Sequence, residues 1–344
     1  MYEFNLFKNS SASRFIMVQP FRAKILPSAE TLIGSALRKA AKKAGMKKTI
    51  REKEKARVLT FYSEIGRKLA STQDSLPRID KMHDFQKELA ELIIGLADLR
   101  KVLAHFRKSR KIIAKLKKQT IYKLENTTAN NEIRQISREF LGRAISVVKK
   151  LDRSILLYNE YVKKLREIPD VRYDTPTLII AGYPNVGKTT LLKTLTGSEP
   201  KIAPYPFTTT KLNLGYMKKN AMELQVIDTP GLLDRKLSGR SNIERKSVLA
   251  LKLLANAIVF VIDPTPTSGY PIEEQERLLK EIKKQFAVPI LVVISKADIA
   301  SEEEIKKASE VAKRLGLECI LNSSKALEER VWDFTAKSAS YLRK

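Results

Sequence analysis

The feature that most constrains this 344-residue chain is a glycine-rich loop near its middle. Gly182, Gly187, Lys188 and Thr189 occupy the fixed positions of the phosphate-loop pattern, directly after the apolar run TLIIA at 177–181. Glycines let the backbone wrap so that its amides point inward, and the amino end of the following helix adds partial positive charge. The loop therefore predicts a strand, a turn and a helix that together hold the phosphates of a nucleotide.

The carboxyl-terminal half alternates apolar runs with helical segments. Candidate strands are 177–181, 212–217, 224–228, 257–263, 289–295 and 318–322, and candidate helices are 273–286, 302–315 and 327–343. Most of the runs are continuously apolar, as strands buried on both faces must be. This order predicts an α/β domain over residues 177–344, with a mostly parallel sheet that binds its ligand at the carboxyl ends of the strands.

The amino-terminal half follows a different pattern. Residues 28–168 repeat apolar residues at helical spacing, clearly in 79–124 and again in 133–165, with the polar break NTTANN at 126–131. Two prolines and a polar run at 169–176 end this pattern and form a predicted linker. We therefore expect an all-α helical-bundle domain over residues 1–168, ahead of the α/β domain.

The phosphate-binding residues follow from the chemistry of the loop and of the next strand end. We expect Lys188 to reach the outer phosphates and the Thr189 hydroxyl to bind Mg²⁺. Asp228 ends the run LQVID and suits a Mg²⁺-bound water, while the amide of Gly231 in Asp-Thr-Pro-Gly suits the terminal phosphate. Residues 206–210, Pro-Phe-Thr-Thr-Thr, form a candidate mobile loop over the same phosphate. The predicted nucleotide contacts in the glycine-rich loop are Asn185, Val186, Gly187, Lys188, Thr189 and Thr190.

Base recognition is predicted from Ser-Lys-Ala-Asp at 295–298, after the run PILVVIS. The carboxylate of Asp298 can accept both N–H donors on one edge of guanine, whereas adenine would leave that charge unpaired. The aliphatic stem of Lys296 can cover one face of the base. Ser295 replaces the usual asparagine and is shorter, so we expect no bridge to the phosphate loop. The segment Ser323, Ser324 and Lys325 is expected to supply a backbone amide for the guanine oxygen.

Positive charge is concentrated in the helical half. Residues 1–175 hold 39 Lys and Arg against 19 Asp and Glu, a net charge of +20, whereas residues 176–344 hold 26 against 19, a net charge of +7. Such an excess favours a polyanionic partner, although a solvated basic face remains an alternative. The charge is densest at 107–118, and the candidate RNA-binding residues are Arg107, Lys108, Arg110, Lys111, Lys115 and Lys118. Ile112, Ile113 and Leu116 are expected to seat this helix on the bundle.

The remaining composition indicates a cytoplasmic protein. The single cysteine, Cys319, suits a reducing compartment. The opening residues MYEFNLFKNS lack the pattern of a secretory signal, and no stretch is apolar for long enough to span a membrane. We expect a monomer without membrane contact.

Three segments resemble a known family. The sequences Tyr-Pro-Asn-Val-Gly-Lys-Thr at 183–189, Pro-Phe-Thr-Thr at 206–209 and Asp-Thr-Pro-Gly-Leu-Leu-Asp at 228–234 are similar to the Obg-related branch of translation-factor GTPases. Within that branch the chain most resembles the nucleolar GTP-binding protein 1 family, in its shorter archaeal form. VLTFYSEIGRK at 58–68, residues 80–96 and Ile-Pro-Asp at 168–170 lie where that family has its helical amino-terminal domain.

The resemblance implies a P-loop GTPase that uses GTP, GDP and Mg²⁺ and assists assembly of the large ribosomal subunit through contact with ribosomal RNA. By position, Thr209 is the switch threonine that binds Mg²⁺, and Lys188, Thr209 and Gly231 are the expected catalytic group. Leu232 occupies the position at which Ras-like enzymes keep a water-positioning glutamine, so intrinsic hydrolysis should be slow. Asn185 resembles the asparagine that helps some relatives hold K⁺, but asparagine is also an ordinary turn residue.

Two other functions remain open from the residues alone. One is an enzyme, such as a kinase, that acts through its nucleotide on a small substrate, and the guanine pattern argues against it. The other is a basic RNA-binding structural protein whose nucleotide site only stabilises it. His83 and His105 lie in helical segments, where we expect ordinary packing or surface histidines.

Overall fold

The computed structural model describes residues 23–76, 79–206, 211–220, 222–235 and 239–341. These residues divide into two compact units. A helical unit runs to Met82, resumes at Gln86 and ends at Ile168, and a second unit comprises His83–Phe85 and the chain from Pro169 onward. Residues 169–176 therefore belong to the second unit. They are fixed to it, since Val171 is buried and the Arg172 amide donates to Gln225 Oε1 at 2.9 Å.

Helices alone form the described part of the first unit. Their bounds are α1 Ala29–Gly45, α2 Ile50–Asp74, α3 Asp84–Ile94, α4 Leu96–Asn126, α5 Asn130–Lys149 and α6 Asp152–Leu165. The first two residues of α3 belong to the second unit. Polar caps start the first two, because Ser28 accepts from the Thr31 amide and Thr49 forms a capping box with Glu52. Gly95, with φ 67°, separates α3 from α4, since a left-handed residue cannot continue a helix.

The continuous helical pattern predicted over 133–165 is broken in the structure. α5 ends at Lys149 and α6 begins at Asp152, so the chain bends at 150–151. Val148, Leu151 and Ile155 are all buried, and their spacing of three and four residues persists across the bend. The spacing of apolar residues shows which face of a helix is buried. It does not reveal a break between two helices when the same spacing continues across the break.

Aromatic rings fill the core of the helical bundle. Phe61 of α2 meets Phe140 of α5 edge to face at 6.3 Å between ring centroids. Phe106 of α4 meets Tyr158 of α6 in the same way at 5.7 Å, and the buried Tyr158 hydroxyl donates to the Lys24 carbonyl at 3.1 Å. The four rings are almost fully inaccessible to solvent, so they link helices that lie far apart in sequence.

The second unit contains a sheet of seven strands within its described residues. The strands are β1 Thr177–Ala181, β2 Lys201–Pro204, β3 Lys211–Lys219, β4 Met222–Asp228, β5 Ala257–Ile262, β6 Ile290–Ile294 and β7 Glu318–Leu321. The order is β2-β3-β4-β1-β5-β6-β7, and only the β2–β3 and β3–β4 pairs are antiparallel. The connecting helices are α7 Lys188–Thr196, α8 Asn242–Ala250, α9 Ile272–Gln285, α10 Glu302–Arg314 and α11 Leu327–Tyr341. The predicted α/β fold with a preceding helical domain is confirmed.

The sheet topology determines where a ligand can bind. β1 is the central strand, with β4 on one side and β5 on the other, both parallel to it. The chain reverses its direction of winding at β1, and ligands of open α/β sheets bind at the carboxyl end of such a strand. The parallel pairs β5–β6 and β6–β7 bring the ends of those strands to the same edge.

One strand escaped the sequence analysis. β2 lies at the sheet edge, and of its four residues only Ala203 is buried. It therefore carries no apolar run, and Pro204 reads as a turn residue. No helix of the described residues is long and apolar enough to cross a membrane.

The aromatic core makes a testable prediction. Phe106→Ala should reduce the free energy of unfolding by about 3–5 kcal/mol, because it deletes a buried ring and leaves a cavity. Ile112→Ala on the same helix should change it by less than about 0.5 kcal/mol, since Ile112 is 40% exposed. Urea unfolding followed by circular dichroism measures both, and equal losses would contradict this packing.

Candidate nucleotide-binding site

The glycine-rich loop has a backbone that only certain residues can adopt. Gly182 has φ 138°, and a Cβ there would lie 2.6 Å from the Val261 carbonyl oxygen of β5. Gly187 has φ 92° and immediately precedes α7. Asn185, exposed at the tip, has φ 63°, a left-handed conformation in which asparagine is enriched. Its backbone alone gives a reason for an asparagine here. Val186 is fully buried and anchors the loop.

Lys188 points back into its own loop. Its ammonium donates to the carbonyls of Gly182 at 2.8 Å and Tyr183 at 2.6 Å, and the residue is 7% exposed. Burial lowers the pKa of Lys188, and the nearby carboxylates of Asp228 and Asp234 partly oppose this. An ammonium has three donors, so one N–H remains for a phosphate oxygen after these two bonds.

The predicted magnesium residues meet at the start of α7. The Thr189 hydroxyl donates to Asp228 Oδ2 at 2.8 Å, and Asn213 of β3 donates to the same oxygen at 3.0 Å. Asp228 Oδ1 is buried and has no hydrogen-bond partner within the described residues. Mg²⁺ prefers oxygen ligands and keeps several waters, so a hydroxyl beside an orphaned carboxylate oxygen fits this ion. Thr190, the next residue, is exposed.

The segment after β4 closes on the glycine-rich loop. The Gly182 amide donates to the Leu233 carbonyl at 3.1 Å. Gly231 itself donates its amide to Asp234 Oδ2 at 2.6 Å. Leu232, in the position of a water-positioning glutamine, is fully buried. The structure therefore places no water-orienting side chain at that position.

The threonine loop is described only at its start. Thr209, the expected switch threonine, lies outside the described residues. Ahead of it, the buried Tyr205 hydroxyl donates to the Ser247 carbonyl at 2.6 Å, and the Ser247 hydroxyl donates to the Pro206 carbonyl at 3.1 Å. Burial raises the pKa of Tyr205, so this hydroxyl stays a donor at any ordinary pH. These two bonds fix the point from which the loop departs.

The base-recognition segment follows β6, beside the glycine-rich loop. The Ser295 hydroxyl donates to the Ile262 carbonyl at 3.1 Å, so it is bonded to β5, and no bond joins it to the loop among the described residues. Lys296 has φ 52° and its ammonium lies 2.6 Å from Asp263 Oδ2 and 2.7 Å from Thr267 Oγ1. Asp298 is exposed. Its carboxylate is therefore accessible to a guanine edge.

The segment after β7 lies next to it. The Asn322 amide donates to the Ile294 carbonyl at 2.9 Å, and Asn322 Oδ1 accepts from the Ala297 amide at 3.5 Å. The Ser324 amide is bonded to the Leu321 carbonyl at 3.1 Å. Ser323 and Lys325 are the exposed members of the predicted trio, and their amides are the ones suited to the guanine oxygen.

Several polar residues of this edge were not singled out from the sequence. Each of them contacts a residue of a predicted motif at hydrogen-bond distance. They are Asn213, Asp234, Asp263, Thr267 and Asn322. Asp263 and Asn322 directly follow β5 and β7, so their position at a strand end was a usable signal. Asn213 lies inside an antiparallel strand, and only the pairing of β3 with β4 reveals that it faces Asp228.

The predicted RNA-binding residues lie on α4 in the helical unit. Arg107, Lys108, Lys111, Lys115 and Lys118 are exposed, and Arg110 is half-buried. We call these six the basic face of α4. Ile113 and Leu116 are buried beneath it as predicted, but the seating role predicted for Ile112 is wrong, because Ile112 points outward and is 40% exposed.

Comparison with known proteins matches the two halves separately. Residues 22–172 match the family described as the NOG1 N-terminal helical domain, and residues 177–296 match the family described as 50S ribosome-binding GTPase. An uncharacterised protein of Methanocaldococcus jannaschii is 40% identical over 253 residues, which cover 74% of this chain and 71% of that protein. Nucleolar GTP-binding protein 1 of Saccharomyces cerevisiae is 33% identical over 273 residues, 77% of this chain and 42% of that protein.

A crystal structure of a putative nucleolar GTP-binding protein 1 from Plasmodium falciparum is 24% identical, with a TM-score of 0.43, and covers 51% of this chain and 92% of that one. The chain spans less than half the length of relatives such as the yeast protein. Together the fold, the site and the family match of residues 177–296 define a GTP-binding protein of the P-loop class. The chain belongs to the nucleolar GTP-binding protein 1 family.

Base choice provides the second prediction. Asp298→Asn should weaken GDP binding by about tenfold or more, the scale of one lost charge-assisted hydrogen bond. It should strengthen binding of xanthine nucleotides, whose ring offers an acceptor to the new amide. Calorimetric titration measures both, with Asp333→Asn on α11 as a matched control. Unchanged GDP affinity in Asp298→Asn would exclude this carboxylate from base recognition.

Proposed function

We propose that this protein is a GTP-hydrolysing switch that assists assembly of the large ribosomal subunit, with its helical unit in contact with ribosomal RNA. The family description of residues 177–296 as a 50S ribosome-binding GTPase supports the ribosomal context. The observation that carries the RNA contact is the basic face of α4. The proposal includes action as a monomer in the cytoplasm, which the single free and exposed cysteine, Cys319, suits.

The phosphate chemistry rests on residues described above. The amides of the glycine-rich loop and the Lys188 ammonium stabilise negative charge on the outer phosphates, and the Gly231 amide contacts the terminal one. Thr189 and Asp228, with Thr209, would hold Mg²⁺, which supplies further neutralisation of phosphate charge when bound. Asp298 and the stem of Lys296 orient guanine, so the terminal phosphate lies at a fixed point in the site.

We expect slow hydrolysis on this site because Leu232 occupies the position at which Ras-like enzymes keep a water-positioning glutamine. Leu232 is buried and apolar, and a leucine cannot accept a proton or a hydrogen bond. Acceleration therefore has to come from a group supplied by the partner, or from a monovalent cation beside Asn185. In such a switch, binding of the partner determines when GTP is hydrolysed.

The basic face of α4 is suited to a polyanion because no ion pair of the described residues neutralises its charges. Ion pairs of the described helical residues use other cations, and none uses a Lys or Arg between 107 and 118. Within that segment Lys117 instead lies over the Tyr62 ring, 5.1 Å from its centroid. Such unpaired cations repel one another, and contact with phosphates relieves that repulsion.

Two features beside this face are suited to RNA bases. A cleft of about 540 Å³ lies between α2 and α4, lined by Tyr62 together with Arg107, Arg110 and Lys111. Further along α4, Tyr122 is 70% exposed and lines a second cleft with Lys118 and Arg143. Unstacked bases of single-stranded RNA bind to aromatic rings flanked by basic groups, so this surface favours loops and bulges over regular duplex.

The third prediction concerns the rate. The isolated protein should turn over GTP on the order of 10⁻⁴ to 10⁻² per second, the range of unassisted switch GTPases. Lys188→Ala should abolish tight binding, because the outer phosphates lose their cation. Replacing sodium with potassium should accelerate hydrolysis if Asn185 helps to hold K⁺. Phosphate release under single-turnover conditions measures each rate.

Added large-subunit particles distinguish the switch from the alternative of a structural RNA-binding protein. A switch responds to its partner, so the rate should rise when particles are present. A rate that stays constant at saturating particles, with RNA binding intact, would favour the structural role. Many turnovers per second by the protein alone would contradict the proposal from the other side.

The fourth prediction concerns the RNA surface. Replacing Arg107, Lys111 and Lys118 together with Glu should weaken association with large-subunit particles. Each lost phosphate contact should flatten the log–log salt dependence of binding by about 0.7–0.9. Guanine nucleotide affinity should stay unchanged, because these residues belong to the other unit. Binding assays over a series of salt concentrations measure the slope.

A matched variant separates a local surface from overall charge. Lys284, Lys306 and Lys313 are exposed on α9 and α10, and their replacement with Glu changes the net charge equally. This control should reduce particle binding far less than the α4 triple variant. Equal losses would attribute binding to net charge alone and would remove the basic face of α4 as the contact surface.

A further inference from the structure

The buried carboxylate of Asp234 accepts a hydrogen bond from the Gly231 amide, the group expected to contact the terminal phosphate. Asp234 is 8% exposed, and its Oδ2 accepts from the Gly231 amide at 2.6 Å. The two residues are three apart in Asp-Thr-Pro-Gly-Leu-Leu-Asp, and the turn between them is fixed by bonds from the Leu232 and Leu233 amides to the Thr229 carbonyl. At 2.6 Å this bond from an amide to a carboxylate is short, as charge-assisted hydrogen bonds are, so it is a strong one.

The same carboxylate also acts on the second group that a terminal phosphate needs. Its negative charge favours the protonated form of Lys188 and raises the pKa of that ammonium against the effect of burial. Asp234 and a terminal phosphate thus have two partners in common, the Gly231 amide and the Lys188 charge. A backbone N–H makes one strong bond at a time, and two anions at one point repel each other.

We propose that Asp234 is a specificity-determining residue that sets the preference of this site between GDP and GTP. Its carboxylate holds the Gly231 amide in competition with the terminal phosphate, so GTP must displace it and GDP need not. The site therefore binds the diphosphate with Asp234 in place and binds the triphosphate only with the segment rearranged. This inference rests on guanine nucleotide binding and is independent of the ribosomal role.

A displaced carboxylate has a second partner close by. Arg240 donates from Nη2 to the carbonyls of Gly231 at 3.2 Å and Leu232 at 2.7 Å. Its Nε is buried and has no hydrogen-bond partner among the residues that the structure describes. Burial and the charge of Arg235 lower the pKa of Arg240, and the carboxylate of Asp234 opposes them. Transfer of Asp234 from the Gly231 amide to Arg240 Nε would satisfy an orphaned donor and release the amide to the phosphate.

The fifth prediction tests this competition by calorimetry on the full chain. The titrations use GDP and a non-hydrolysable GTP analogue. In both Asp234→Asn and Asp234→Ala, the affinity for the analogue relative to GDP should rise by about tenfold. Asp333→Asn should leave the ratio unchanged. An unchanged ratio in both Asp234 variants, or weaker triphosphate binding relative to GDP, would overturn the proposal.

A second measurement is independent of affinity and needs only a folded protein. Glycine-labelled protein has 13 glycine amides, so the exchange of the Gly231 amide with solvent can be followed by NMR. With GDP bound, this amide should exchange at least about tenfold faster in Asp234→Ala than in the parent. With the triphosphate analogue bound, parent and variant should exchange equally, since the phosphate protects the amide. Equal exchange in the two GDP complexes would show that Asp234 does not hold it.

Parental titrations keep this result separate from the ribosomal proposal. Both measurements use nucleotide and protein alone, so failure of RNA binding leaves them unaffected. If the parent protein bound neither GDP nor the triphosphate analogue, both the proposed GTPase function and the role of Asp234 would be contradicted.

Discussion

The parallel pairing of β1 with β4 and β5 is the constraint on which the rest of the second unit depends. It places the glycine-rich loop, Asp228 and the end of β5 at one edge of the sheet. Gly182 shows how close this approach is, because a single added carbon would meet the Val261 carbonyl. Hydrogen bonds between main-chain atoms, far from any ligand, thus determine the spacing of the groups that contact phosphate.

The sequence predicted most of this arrangement because the relevant signals are local. A buried strand is visible in the sequence as an apolar run, and the residues that follow it lie at the carboxyl end of that strand. Prediction failed where the cause was not local. β2 is an exposed edge strand with no apolar run, and the bend at 150–151 preserves the helical spacing on both sides. Asp234 ends the motif at 228–234, but only the structure shows that its carboxylate accepts from the Gly231 amide.

The two units use charge in opposite ways. In the nucleotide site each buried charge has a partner at hydrogen-bond distance, as for Lys296 with Asp263. On the basic face of α4, five of the six charged residues are exposed and none of the six has an acidic partner among the described residues. Internal pairing gives a site its geometry, whereas unpaired surface charge gives attraction over longer distances and sensitivity to salt. This division suits the proposed function, in which a nucleotide is bound by specific contacts and a polyanion is attracted by charge.

The hydrogen bonds to Asp228 have a consequence for the entropy of binding. One oxygen of this carboxylate is held by Thr189 from α7 and by Asn213 from β3, so its rotamer is fixed by two other elements of the unit. The conformational freedom of the side chain is therefore lost during folding and does not have to be lost again when nucleotide arrives. A nucleotide with its metal ion that arrives at this edge therefore meets a carboxylate whose position is already set.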